Sequence, residues 1–188
     1  MKKLMALTVL AIAGVAFASS LSVPWFVDNA GSAAYFPPLP GMGGGVSSLV
    51  YLHNNEAAEL VCSITYITQT GVVIGPYAPD NTFIIPAMAT LAFRPVANDP
   101  NTVQGGQESP EAQAIPNRPS GTAGGNDGFK NGALFVQWVK GDLPGQGTLG
   151  AGSVQGFVVT SQYVPANRAG STQTAGFAHW GTLLPPGV

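Results

Sequence analysis

Leu60, Cys62, Ile64 and Tyr66 alternate with Val61, Ser63, Thr65 and Ile67, an arrangement that a helix would scatter around its circumference. An extended strand puts the first set on one apolar face and the second, more mixed set on the other. Five of these eight residues are β-branched or aromatic, the types that pack well on a pleated surface. A strand here has to be covered on its apolar face, so the rest of the chain reads as material brought against it.

Further runs of strand character occupy 46–53, 72–74, 82–85, 87–94, 132–140, 153–164 and 175–184. Residues 23–27 read as a short first strand or an edge segment, because Pro24 cannot donate to a ladder. Turn residues separate the runs: Asn54-Asn55, Gly71, Gly75-Pro76, the glycines of 141–152, and Pro185-Pro186 after the last. Outside the N-terminal apolar run no stretch has a helical period. About seven to nine short strands with turns between them predict an all-β chain, a single antiparallel β-sandwich with a β-barrel as the alternative.

Glu56-Ala57-Ala58-Glu59 has hairpin length, so strands 46–53 and 60–67 are predicted to pair antiparallel. Pro86 splits 82–94 at a bulge or a change of sheet. Ala87, Ala89, Leu91 and Phe93 are the expected core face of the second part. Leu134, Val136 and Trp138 share a face, as do Phe157, Val159 and Tyr163. Residues 96–131, rich in Gly and Pro, predict one long irregular loop over the surface, with a local turn around 111–115.

Met1-Lys2-Lys3, the apolar run from Leu4 to Phe17 and Ala16-Phe17-Ala18 have the layout of a secretory signal peptide. The run is short for a membrane span, which needs about 20 residues. The expected organisation is therefore a signal peptide over 1–18 and one domain over 19–188, with no transmembrane segment after signal removal. Without the first 18 residues, five bases face nine acids, and charged residues are about 8% of the chain where about 25% is usual. A surface solvated by small neutral groups repels copies of itself weakly. Five scattered bases cannot neutralise a run of phosphates, which argues against nucleic acid. Cys62, the one cysteine, lies on the apolar face and is expected to be a buried thiol.

The candidate chemistry is thin. His53, His179 and Cys62 are the whole supply of soft metal ligands, without the paired spacings of a zinc site. Ser153, in Gly150-Ala151-Gly152-Ser153-Val154, lacks the glycine-flanked nucleophile turn. The pairs Glu56/Glu59 and Glu108/Glu111 read as solvated turn residues, although Glu56 or Glu59 opposite His53 would suit a hydrolase. Asn126-Asp127-Gly128 and Asp99-Pro100-Asn101 carry one carboxylate each and read as Asx turns rather than calcium loops. Lys140 precedes a turn and is not expected to form a Lys–Asn cross-link.

Trp25, Trp180 and Tyr77 are the tentative binding residues, since exposed flat rings can stack on sugars; Trp138, in mid-strand, is expected in the core. These features predict an exported, non-catalytic bacterial structural or interaction protein of the cell surface or an extracellular assembly. No catalytic residues, metal or cofactor are called for. The expected partners are copies of itself or other envelope proteins, with polysaccharide as the second choice. A carbohydrate-binding module and a secreted hydrolase are the alternatives. The expected location is secreted, periplasmic or cell-surface.

Overall fold

A computed structural model describes residues 20–30, 45–97, 115–120, 128–140, 152–164 and 176–184. These residues form an all-β fold with a large antiparallel sheet. Its strands are β1 (Ser20–Ala30), β2 (Gly45–Asn54), β3 (Leu60–Thr68), β4 (Val73–Gly75), β5 (Thr82–Ile85), β6 (Thr90–Phe93), β7 (Asn131–Lys140), β8 (Val154–Val164) and β9 (Gly176–Leu183). The order across the sheet is β4-β3-β7-β1-β2-β8-β9, with β5 also on β3 and β6 also on β2. The N-terminal signal, the turn at 111–115 and both Asx-turn candidates lie wholly or mainly outside the described residues.

β3 alternates strictly between buried and half-buried positions along its whole length, as its sequence dictates. Leu60, Cys62, Ile64 and Tyr66 are buried, each 1% exposed or less, and Leu134, Val136 and Trp138 of β7 join them. β3 pairs with β7 from Leu60↔Lys140 to Thr68↔Gly132. At that last pair the backbones come close: a Cβ on Gly132 would lie 2.1 Å from the carbonyl oxygen of Ile67. Any side chain at 132 would push the two strands apart.

β1 changes partner along its length. Ser20 to Val27 pair with β7, whereas Asp28 to Ala30 pair with β2. Between Val23 and Phe26 the register slips, where Pro24 interrupts the ladder. One core spans this crossover and gathers Leu21 and Phe26 from β1, Val50 and Leu52 from β2, Phe93 from β6 and Val158 from β8 around β3 and β7.

The hairpin predicted between residues 46–53 and 60–67 does not form. β2 pairs with β1, β6 and β8, and β3 with β4, β5 and β7. The cause is Asn54. Its side-chain nitrogen reaches the carbonyls of Ala58, Ile85 and Pro86 at 2.8, 3.2 and 2.9 Å, while its oxygen accepts from the backbone N–H of Glu56 at 2.8 Å. The connection wraps around this buried amide and carries the chain away from β2.

The strand expected over 87–94 is shorter, because Met88 has φ +56° and the backbone turns there. Leu91 and Phe93 do face the core, as read, but Ala92 and Arg94 are buried too. The loop reading of 96–131 also needs correction. Within it, Ile115 enters the main core and the Arg118 side chain is fully buried. Arg118 donates from Nε to Pro95 O at 2.8 Å, from Nη1 to Pro119 O at 3.2 Å and from Nη2 to Asp28 Oδ2 at 2.6 Å. Its guanidinium stands 6.0 Å from the Phe26 ring, which meets Tyr66 edge-on at 6.1 Å. Tyr66 OH donates to Pro116 O at 2.9 Å, so residues 115–120 are fastened to both β1 and β3.

Candidate functional site

Strands β2, β6, β8 and β9 contain no Asp, Glu, Lys or Arg. Their pairing sorts side chains into rows. On the face turned from the core, Thr90, His53 and Gln155 make one row, and Tyr51, Phe157 and Leu183 the next. An open groove of about 280 Å³ runs between these rows. A second, of about 290 Å³, is lined by Leu21, Asn55, Val154 and Leu184 and shares Gln155 and Gly156 with the first. Both are small beside the pockets of roughly 300–1,000 Å³ that enclose drug-sized ligands. Phe157 is 38% exposed and Leu183 61% exposed.

Phe157 was legible as a strand residue, but its face was not. Of the predicted face, Phe157 is exposed on the outer side and Val159 is half-buried, whereas Tyr163 is buried; Val154, Gly156 and Val158 are buried on the core side. Gly181 explains how Phe157 lies: a Cβ at 181 would meet the Phe157 ring at 2.4 Å, so the ring rests over the glycine. A bulky residue facing a glycine across two strands is a signal that pairing alone reveals.

The three tentative binding residues are all exposed, Trp25 at 52%, Trp180 at 50% and Tyr77 at 66%. Trp180 lies opposite Thr160 of β8. The Thr160 hydroxyl shares a 3.1 Å hydrogen bond with that of Ser48, whose oxygen accepts from the N–H of Val27 at 3.1 Å. Thr160, the ladder partner of Trp180, is thus linked through the Ser48 hydroxyl to β1, where Trp25 lies in the slipped register. Tyr77 belongs elsewhere. It follows β4, lies along Gly75 and donates to Val73 O at 3.3 Å, at the other end of the strand order from β9.

Among the described residues His53 is not hydrogen-bonded to Glu56 or Glu59. Glu56 accepts a 2.6 Å hydrogen bond from Ser153 Oγ, and His53 Nδ1 shares one of 2.9 Å with Thr90. Ser153 is itself buried and fixed beside Asn55, which bonds to Gly152 O and Ser153 O. These contacts clamp the β2–β3 connection to the start of β8. Among the described residues no group of three or more His, Cys, Asp or Glu is placed to hold a metal ion. Cys62 is buried, and loss of hydration pushes its thiol up to about 12, against a smaller opposing effect of a backbone hydrogen bond from Ile85. Such a thiol stays protonated and unreactive at neutral pH.

No protein family and no curated protein matches the sequence. Among solved structures the chain is similar to the crystal structure of Thermotoga maritima 1070, at 12% identity and a TM-score of 0.40, with 91% of this chain and 97% of that one covered. A likeness at that score carries no argument about what the chain does.

Proposed function

We propose that the chain is an exported bacterial β-sandwich without catalytic activity, a structural or interaction component of the cell surface or of an extracellular assembly. The two layers of the sandwich would be β4/β5-β3-β7-β1 and β6-β2-β8-β9, hinged where β1 changes partner. The observation that carries the functional reading is the uncharged set β2, β6, β8 and β9, with its half-exposed aromatic and aliphatic side chains at one margin. Such a surface suits contact through shape and apolar area rather than through ion pairs. The signal-like N-terminus supports export. Fractionating producing cells, then sedimenting the exported protein with isolated envelopes, tests this reading. Recovery in the cytoplasm, or no retention on envelopes and no self-association, overturns it.

Sugar binding is the second reading, favoured by the exposure of Trp25 and Trp180. It predicts a tryptophan fluorescence change on adding a neutral polysaccharide that disappears in Trp25→Ala or Trp180→Ala. A response that survives both substitutions removes it.

A further inference from the structure

The outer side of β2, β6 and β8 carries side chains that converge on one groove. Pairing puts His53 between Thr90 and Gln155, and two residues along the strands Tyr51 stands opposite Phe157. Directly opposed residues of antiparallel strands are about 4.5–5.5 Å apart, and two residues along a strand span about 7 Å. His53, Gln155, Tyr51 and Phe157 thus mark the corners of a window on the scale of a single ring with its substituents. The open groove of about 280 Å³ lies over this window.

These side chains are supported from behind and open in front. His53 Nδ1 shares its 2.9 Å hydrogen bond with Thr90 Oγ1, which orients the imidazole and leaves Nε2 for the groove. Phe157 rests over Gly181 with its ring 38% exposed. Among the described residues, no protein group is hydrogen-bonded to the Tyr51 hydroxyl or to the Gln155 amide.

The lining selects a class of ligand. Among the described residues it has no Lys, Arg, Asp or Glu, so a carboxylate, a phosphate or an amine finds no counter-charge there. A hydrocarbon would take water from Gln155, Tyr51 and His53 without replacing its hydrogen bonds. An aliphatic hydroxyl both gives and accepts. It therefore answers the Tyr51 hydroxyl, either end of the Gln155 amide, and His53 Nε2 in whichever tautomer the Thr90 bond selects. The Phe157 ring adds a flat apolar surface for the C–H face of a ring.

We propose that this groove binds a neutral sugar unit of a polysaccharide, its ring stacked on Phe157 and its hydroxyls held by Gln155, Tyr51 and His53 Nε2. This goes beyond the tryptophan reading and names a separate site. Trp180 and Leu183 have opposite parity on β9, so Trp180 faces away from the groove side, and Trp25 is on β1. An open groove below the size that encloses a whole ligand takes one unit of a longer chain and holds it weakly.

Isothermal titration calorimetry of the purified chain with cellohexaose, xylohexaose and mannohexaose, each to about 10 mM, is the test, with hexagalacturonic acid as the charged comparison. At least one neutral oligosaccharide is expected to bind, and the acidic one at least about tenfold more weakly. Phe157→Ala and Gln155→Ala are each expected to weaken binding about tenfold or more, with the circular dichroism spectrum unchanged. Gln155 is exposed, so its variant keeps the test sound if Phe157→Ala loosens the packing on β9. Absence of binding to all the neutral oligosaccharides, or a preference for the acidic one, overturns the inference. So does binding that survives both substitutions. If that surviving binding is lost in Trp25→Ala or Trp180→Ala, the tryptophan reading stands without this site, so the two can fail separately.

Discussion

Arg118→Met is the sharpest test of how the irregular part of the chain is held. Methionine keeps much of the buried stem and deletes the guanidinium. Asp28, whose side chain is only 12% exposed, loses its 2.6 Å partner, and the carbonyls of Pro95 and Pro119 lose their donors. Removing one member of a buried ion pair costs about 3–5 kcal/mol, much of it the burial of the charge that stays behind. The slight exposure of Asp28 lets some water reach it, which favours the lower end, about 3 kcal/mol. In a chain of this size each kcal/mol moves Tm by about 2–4 °C, so a fall of roughly 6–12 °C is expected. Urea unfolding followed by tryptophan fluorescence gives the free energy directly. Adding Asp28→Leu removes the remaining carboxylate and is expected to recover part of the loss. A loss below about 1 kcal/mol, or a double variant no better than Arg118→Met, would refute the reasoning that the pair fastens residues 115–120 to β1.

Three further outcomes follow from contacts described above. Gly132→Ala forces a Cβ onto the Ile67 carbonyl and should destabilise by about 1–3 kcal/mol in the same urea assay; an unchanged midpoint would show that β3 and β7 can separate freely there. Cys62 should resist a thiol reagent at pH 8 until urea unfolds the chain. Because its folded value lies near 12 and its unfolded value near 9, its contribution to stability is complete below about pH 9 and is lost as the pH rises toward 12. Asn54→Ala removes the amide donor shared by the Ala58, Ile85 and Pro86 carbonyls and the acceptor of the Glu56 N–H at a buried site and should cost about 2–4 kcal/mol, read from thermal denaturation; a cost under about 1 kcal/mol would mean that the β2–β3 connection needs no internal anchor.

Strand positions were legible in the sequence because alternation is a local property. The runs at 60–67, 82–85 and 132–140 match β3, β5 and β7 to within a residue, and Cys62 and Trp138 are buried where their parity put them. Pairing was not legible. The β2–β3 connection is built around the buried Asn54 amide, and hydrophobic period has no means of registering such a contact. Arg118 was hidden for a related reason. In a stretch without period, a charged residue among prolines and glycines reads as surface, and the carboxylate ninety positions earlier that helps make its burial tolerable is not visible locally. For the candidate site, Trp25 and Trp180 are exposed from mid-strand positions of β1 and β9, and Tyr77 is exposed just after β4. The row of Tyr51, Phe157 and Leu183 needs the register of three strands before it exists at all.

The seam at β1 has a bearing on how the chain reaches its destination. Leu21 has to wait for Val136, and Ile64 waits for the same residue, so neither can settle until a late portion of the polypeptide has been made. A topology with so many distant pairings condenses slowly. An unfinished chain of this kind cannot close its core until β7 has been made, a property that would suit the export proposed above.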